Sequence, residues 1–286
     1  STGFSIGGLL VPVVAISVTS LGWRPTALYS GLLIIMIGIP VAQLMRRDPE
    51  PYGYLPDGDI YTTDDDSPGN SNSSENVMND DDSVSFTAKE AMATKTFWLL
   101  SMGHALSLLT VGAVSLHLIP HVIDSVGLTV TTASTAVAVM TIFNVFGQLG
   151  GGFLGDRYSK RKICAIGTLM HSLGLIVLAY SDTIFLVYIF AVLHGSAWGL
   201  RGPLMATIRA DYFGRSYFPS IMGFSSLVVM TGMTFGPLFA GYMADIFGNY
   251  QMGFVIIAAL AAFGSICFFE AREPLLPKRL LVHRIP

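Results

Sequence analysis

The chain has 286 residues, of which 52% are hydrophobic and 12% are charged, and its mean hydropathy is +0.59. Soluble domains carry about 25% charged residues, so this composition excludes an ordinary water-soluble protein and is typical of a chain in a bilayer. The formal net charge of −3 says little about partners, because 12 of the 19 acidic residues lie between Asp48 and Glu90 and the rest is basic.

Eight apolar segments follow one another along the chain, each long enough to cross a hydrocarbon core of about 30 Å as a helix. We therefore predict an all-α, polytopic membrane protein. The first segment opens at Ser1 with neither an initiator methionine nor a basic flank, which favours an N-terminally truncated chain over a signal peptide. The expected spans are approximately 4–21, 26–44, 97–119, 131–153, 163–180, 184–206, 220–243 and 251–269.

A long polar segment divides the chain. Residues 46–95 begin with prolines and turn residues and continue with aspartate triplets and a Ser/Asn-rich stretch, a composition that predicts a disordered, solvated linker. We expect two spans in residues 1–45, this acidic linker in 46–95, a six-helix bundle in 96–270, and a tail in 271–286.

The distribution of basic residues predicts the orientation of these spans. If the first span runs outward, 14 of the 16 lysines and arginines fall on the cytoplasmic side, Arg209 and Arg215 among them. Only Arg24 then faces outside, and only Arg201 lies within a span. The linker and the C-terminus are accordingly expected in the cytoplasm, with the spans in the plasma (inner) membrane.

Five charges are packed into the short break between the fourth and fifth spans, in the stretch from Gly152 to Lys162. A glycine there lets one helix approach a neighbour, an aspartate suits the positive end of another helix, and the cations remain in water. These properties predict a loop that latches two helix bundles, most plausibly with Asp156 at the start of the seventh span near Pro219. The alternative is an ordinary positive-inside loop. The latch residues are Gly152, Asp156, Arg157, Arg161 and Lys162.

An internal repeat accompanies this loop. The pattern F-G-x-L-x-x-G-x-x-x-D begins at Phe146 and again at Phe235, 89 residues later, on the fourth and seventh spans. Each of these spans is the middle helix of a triplet. Repeats in equivalent places with opposite orientation are what inverted three-helix repeats in a transporter predict. The alternative is coincidence in glycine-rich apolar helices.

The loop signature resembles that of the major facilitator superfamily of transporters, although Ser159 and Lys160 stand where that family usually has glycine and arginine. Gly199 to Pro203 and Arg209 to Gly214 are similar to the branch that contains monocarboxylate and oxalate-formate exchangers. The resemblance implies a twelve-span fold, of which these spans are the last two of the first half and all of the second. It also implies a small-molecule substrate, with a coupling proton or counter-substrate as a further partner.

Polar side chains within spans are costly in hydrocarbon, so they are expected to face the bundle interior or water and to mark a substrate path. Arg201 is the strongest candidate, because a permanently charged guanidinium inside a span requires an anion. That anion is either a carboxylate-bearing substrate or a structural partner such as Asp211, and snorkelling to the nearby surface is a further alternative. The predicted substrate-binding residues are His104, His117, Asn144, Gln148, His194 and Arg201.

No cofactor, metal or nucleic-acid partner is expected. His117 and His121 are four residues apart, but Pro120 lies between them, the helix is expected to be ending there, and no carboxylate lies within that span. The two cysteines lack metal-site spacing and are interpreted as packing residues.

The chain contains neither HExxH, nor G-x-S-x-G, nor a phosphate-binding G-x-x-x-x-G-K-[ST], so we do not expect an enzyme or an ATP-driven pump. The sequence favours a gradient-driven transporter of small solutes, plausibly organic anions such as monocarboxylates, that works by alternating access in the lipid bilayer. The alternatives are a non-transporting membrane sensor or scaffold and an exporter of neutral or cationic compounds.

Overall fold

A computed structural model of the protein describes residue 7, residues 10–44 and residues 85–277, and every regular element in these ranges is a helix. Most of the predicted acidic linker lies outside the described residues. The helices are α1 (Val11–Leu21), α2 (Trp23–Leu44), α3 (Ala88–Met92), α4 (Lys95–Asp124), α5 (Val130–Arg157), α6 (Lys160–Ala179), α7 (Ile184–Arg201), α8 (Leu204–Phe213), α9 (Phe218–Phe247) and α10 (Gln251–Glu270).

Seven stretches of the described residues are long and apolar enough to cross a membrane: α2, α4, α5, α6, α7 together with α8, α9 and α10. The prediction of an all-α, polytopic membrane protein is therefore confirmed. The described part of the first predicted span is the shorter apolar helix α1, so the count of eight is approximate.

Residues 16–44 belong to a compact unit of their own, which contains the end of α1 and all of α2. Gly22 separates the two helices with a positive φ of 88°, a conformation that a residue without a Cβ adopts readily. The Ser17 and Thr26 hydroxyl groups, 2.9 Å apart, link the helices across this turn. The outer surface of α2 is a run of exposed aliphatic side chains, as suits a helix in lipid.

The second unit contains the six long helices from α4 to α10, which pack chiefly as three pairs: α5 with α7, α9 with α4, and α10 with α6. If α4, α5 and α6 form one triplet and α7, α9 and α10 the other, the first pair and the second are equivalent. In each, the middle helix of one triplet packs on the first helix of the other. This pattern is that of a two-fold repeat.

Glycines allow the backbones of α5 and α7 to touch. A Cβ added to Gly147 on α5 would lie 2.5 Å from the carbonyl oxygen of Ser196, and one added to Gly199 on α7 would collide with the carbonyl oxygen of Asn144. No side chain larger than hydrogen fits such a crossing. The two helices are therefore held at a separation that only glycine permits.

The crossing of α9 and α4 repeats the same contacts. A Cβ on Gly236 of α9 would collide with the carbonyl oxygen of Leu109, and one on Gly112 of α4 would lie 2.5 Å from that of Met233. Gly236 and Met233 are the counterparts of Gly147 and Asn144 in the sequence repeat. The repeated sequence pattern thus corresponds to a repeated helix crossing.

The C-terminal end of the predicted linker is folded, contrary to the sequence analysis. Phe86 is buried with its ring edge-on to Phe213, at a centroid separation of 5.5 Å, and its N–H donates to the Phe213 carbonyl over 2.8 Å. The short helix α3 follows, with a reciprocal cap between Thr87 and Glu90. The overall composition of the linker did not predict this contact, because it depends on one aromatic side chain, that of Phe86.

Gly147 offers a direct test of the close crossing. We expect Gly147→Ala to lower the free energy of unfolding by about 1 to 3 kcal/mol, because the added methyl group overpacks a backbone contact. Gly150→Ala, on the same helix but with open space around its Cβ position, should be neutral or stabilising by up to about 1 kcal/mol. Thermal unfolding in detergent measures both variants. Equal melting temperatures would contradict the proposed role of the crossing.

Candidate functional site

A layer of buried polar side chains separates two apolar cores of the helix bundle. On α4, Ser101 and Ser107 lie between Phe97 of one core and Val114 of the other. On α6, Thr168 lies similarly between the two cores, and its hydroxyl is 3.0 Å from that of Ser107. Buried polar groups cost stability unless they are hydrogen-bonded or used, so this layer is the candidate site.

Arg209 on α8 joins three helices in this layer. Its side chain is 1% exposed, and its Nε donates to the Ser225 hydroxyl on α9 over 3.1 Å, while one of its terminal nitrogens donates to the Met205 carbonyl over 2.7 Å. The Ser225 hydroxyl lies 2.9 Å from that of Ser101 on α4. The sequence analysis expected Arg209 on the cytoplasmic side and did not include it among the candidate site residues, whereas the structure buries its side chain within the bundle.

Arg201 is the last residue of α7 and is also only 1% exposed. Its stem lies against α6, where a Cβ added to Gly167 would be 3.8 Å from the Arg201 Cβ. The helix stops at this point because Pro203 cannot continue its hydrogen bonding, and α8 begins at Leu204. The predicted span 184–206 is thus a broken helix with an arginine at the break.

Neither structural alternative for Arg201 survives. Its side chain does not snorkel, because it is enclosed, and Asp211 instead forms an ion pair with Lys160 at an N–O distance of 2.7 Å. Across the described ranges no aspartate or glutamate is buried, so Arg201 and Arg209 lack a buried carboxylate partner. Nε of Arg201 and one terminal nitrogen of Arg209 have no hydrogen-bond acceptor there.

Histidines surround the arginine pair. Arg201 lies in the neighbourhood of Arg209, His104 and His194, and Nδ1 of His104 has no hydrogen-bond partner among the described residues. His194 on α7 is fully buried, and its Nδ1 is 3.1 Å from Nδ1 of His171 on α6. Because two ring nitrogens can share only one hydrogen at this distance, one ring donates and the other accepts.

Asn144 and Gln148 lie on α5, where the Gln148 amide donates to the Asn144 side-chain oxygen over 2.7 Å. Nearby, a largely apolar cavity of about 400 Å³ is bordered by α4, α5, α7 and the start of α1. Trp198 lines it, one helical turn before Arg201, and Thr141 supplies one of its few polar groups. Arg201 itself is not among the lining residues, so the guanidinium is closed off from this cavity in the present conformation.

His117 is separate from the arginine pair. Its Nε2 lies 2.9 Å from the Pro237 carbonyl oxygen, whereas Nε2 of His121 lies 2.9 Å from that of Leu178. The two rings therefore serve different neighbours. Helix α4 continues through Pro120 to Asp124, although the sequence analysis expected it to end earlier. Among the described residues, no three histidine, cysteine or acidic side chains are grouped as a metal ion would require.

The predicted latch loop is mostly helical, because α5 extends to Arg157. Gly152 does not mediate a close helix contact, since a Cβ there would meet nothing within 4 Å, whereas Gly151 packs against the Leu200 carbonyl. One residue along a helix rotates a side chain by about 100°, and spacing alone did not identify the correct face. Asp156 is exposed, and its side chain forms no hydrogen bond or ion pair with another described residue.

The basic residues of this loop lie at the surface. Arg157 stacks over the Phe153 ring at 4.1 Å, and the Arg161 guanidinium contacts both the carbonyl and the ring of Phe269 at the end of α10. Lys162 is exposed. Arg161 therefore attaches the loop to a helix of the same bundle.

Sequence reasoning missed six members of the polar layer: Ser101, Ser107, Thr168, His171, Arg209 and Ser225. Arg209 follows Pro203 by less than two helical turns, and the proline was a signal that the regular hydrogen bonding of the span is interrupted there. No sequence signal distinguished His171 or Ser225 from ordinary polar residues in a membrane helix.

Relatives of known name are consistent with this architecture. The chain is 24% identical over 286 residues to a probable hexose phosphate transport protein of Chlamydia muridarum, a match that covers 94% of this chain and 61% of the relative. It is 29% identical over 123 residues to a probable nitrate transporter of Staphylococcus aureus, covering 43% of this chain and 31% of the relative. A match to monocarboxylate transporter 13 of Rattus norvegicus has 24% identity over 151 residues, covering 52% and 35%.

The chain thus spans less than two thirds of the length of these relatives. A family model matches residues 100–283, which include the three helix pairs, the broken helix and the buried arginines. The chain belongs to the Major Facilitator Superfamily.

Proposed function

We propose that the protein is a gradient-driven transporter of small anions and that Arg201 contacts the anion. The observation that carries this proposal is the burial of two guanidinium groups in a bundle with no buried carboxylate among its described residues. A buried charge is stable only when it is paired, and an arginine within a span costs about 2.5 to 3.5 kcal/mol on insertion scales. A transported anion supplies the missing partner.

The two arginines have different parts in this proposal. Arg209 already donates to Ser225 and to the Met205 carbonyl, so it holds α8 against α9 and supplies positive potential. Arg201 has an unused Nε and lies at the break between α7 and α8. Broken membrane helices typically border substrate sites in transporters, because the chain can hinge at the break. Movement there gives the anion access to Arg201.

The names of the relatives support an anionic substrate. Hexose phosphate, nitrate and monocarboxylates all carry negative charge, and planar guanidinium groups bind carboxylate and phosphate oxygens through paired hydrogen bonds. The largely apolar cavity beside Trp198 suits the non-ionic part of an organic anion.

The first test replaces Arg201 in the protein expressed from its complete gene. Arg201→Lys keeps the charge but loses the paired hydrogen bonds, so anion affinity should fall about tenfold. Arg201→Gln should lower it about a hundredfold or more. Uptake into proteoliposomes over a panel of phosphates, nitrate, carboxylates, sugars and amines measures the effect.

Arg24→Gln is the matched control, because it removes an exposed arginine outside the bundle and should leave uptake unchanged. Normal uptake by Arg201→Gln, or a neutral or cationic substrate, would show that Arg201 is a structural anchor.

A second test measures binding without transport. An anion that occupies the site stabilises the folded protein by about 2.7 kcal/mol when its concentration is 100 times its dissociation constant. The melting temperature of the purified protein should therefore rise with the transported anion and not with a neutral analogue. Arg201→Gln should lose this rise while it keeps the ligand-free melting temperature within a few degrees. An equal rise in both proteins would place the anion elsewhere.

We also propose that Asp156 latches the helix bundles in another conformation of the transport cycle. Its carboxylate is exposed at the C-terminal end of α5, where the helix dipole disfavours a negative charge. The position of the Asp156 carboxylate is electrostatically unfavourable in this conformation. It becomes favourable in a conformation where the carboxylate meets the N-terminal end of another helix.

Asp156→Asn should therefore leave the folded protein intact and change the populations of its conformations about two- to fivefold, as a contact of about 0.3 to 1 kcal/mol implies. Cysteine probes on the two membrane faces would report the change. Asp211→Asn is the control, because it breaks only the exposed pair with Lys160. Unchanged probe labelling and transport rates in Asp156→Asn would reject the latch.

A further inference from the structure

A polar cavity lies at the opposite end of the bundle from the arginine pair. It has a volume of about 590 Å³, and its lining includes His121, Asp124, Ser181, Asp245 and Tyr250 but no lysine or arginine. Ser101, which belongs to the arginine network, and His121 are both on α4, separated by twenty residues or about 30 Å of helix. The cavity is therefore a separate feature from the proposed anion site.

Among the described residues, His121 is the one histidine in the lining of this cavity. Its side chain is almost completely buried, and one of its ring nitrogens makes no hydrogen bond with these residues. His121 is 2% exposed, and its Nε2 lies 2.9 Å from the Leu178 carbonyl oxygen. Because a carbonyl oxygen can only accept, Nε2 carries the hydrogen, and Nδ1 holds a lone pair. Among the described residues, Nδ1 has no hydrogen-bond partner.

Two carboxylates give this cavity a negative potential. Burial, together with the carboxylates of Asp124 and Asp245, raises the pKa of the Tyr250 hydroxyl above its ordinary value. The same charges favour a positive group nearby. The His121 ring also packs edge-to-face with aromatic rings, with centroid separations of 5.2 Å to Phe254 and 6.0 Å to Tyr250.

Among the described residues, no lysine or arginine lines this cavity. Six titratable side chains lie in its neighbourhood besides His121: His117 and Asp124 on α4, Tyr180 and Asp182 after α6, Asp245 on α9, and Tyr250 before α10. Three of these six are carboxylic acids. A metal ion lacks a sufficient ligand group among the described residues, whereas a proton requires only one lone pair.

We propose that His121, in the wall of this cavity, is a proton-binding site. The Nδ1 lone pair, which is enclosed in this conformation, takes a proton from a hydronium ion that arrives through the cavity, the ring becomes an imidazolium, and Asp124 and Asp245 balance its charge. Nε2 keeps its hydrogen bond to the Leu178 carbonyl in both states, so protonation changes the charge of the site without releasing α4 from α6. The proposal does not depend on the identity of the transported solute.

Histidine nitrogen NMR tests the proposal on the protein from its complete gene, in lipid nanodiscs. With its histidines labelled, the resonance that is lost in His121→Gln should change from neutral to imidazolium chemical shifts between about pH 8 and pH 5. The glutamine amide of this variant can still donate to the Leu178 carbonyl. Asp124→Asn and Asp245→Asn should each move the midpoint about 0.5 pH unit lower, because each removes one nearby negative charge.

Asp182→Asn is the matched control, since Asp182 lies at the same end of the bundle but outside the cavity lining, and its midpoint should remain that of the wild type. If His121→Gln does not fold, single replacements of the other histidines assign the resonance by elimination. Neutral shifts of the His121 resonance throughout this pH range would overturn the proposal. A resonance that responds to sodium ions at constant pH, and not to pH, would also overturn it.

Discussion

The positions of the helices in the bundle depend on direct contact between helix backbones at glycine residues. Gly147 and Gly199 fix α5 against α7, and Gly236 and Gly112 fix α9 against α4 in the same way. If either helix slid or rotated, the Cβ of a residue beside the glycine would collide with the facing carbonyl oxygen. The crossing therefore fixes the axial position of each helix relative to its partner. Because Arg201 follows Gly199 by two residues, the first crossing also sets the depth of the guanidinium in the bundle.

The two crossings are equivalent in backbone but not in chemistry. Aligning Gly112 with Gly199 places Val114 of α4 at the position of Arg201 in α7, and Val114 is a buried member of an apolar core. The repeated scaffold thus carries an arginine at one crossing only. The two helix crossings are symmetric, but their polar side chains are not. This combination is expected when functional side chains are placed on a fold that is stable without them.

The sequence predicted the helices well because apolar length is a direct consequence of bilayer thickness, and it predicted the repeat because close crossings demand glycine. It was wrong about Gly152 and did not identify Arg209 as a buried residue, because both depend on which face of a helix meets a neighbour. The positive-inside pattern gives the membrane side of Arg209 from its place in the chain, but it does not tell whether its side chain is buried. Phe86 shows the same limit, since only tertiary contact with Phe213 explains its order.

Arg201 and His121 illustrate two ways of placing positive charge inside a membrane protein. A guanidinium does not lose its proton in a protein, so the cost of burying Arg201 is relieved only by an anion or by hydrogen bonds to the charged group. An imidazole is neutral until a proton arrives, so burying His121 costs less than burying a guanidinium. The arginines lie in an enclosed polar layer in which Arg209 donates to Ser225, whereas His121 borders a cavity flanked by two exposed carboxylates. A fixed charge suits the selection of an anion, and a conditional charge suits a group that must be loaded and unloaded.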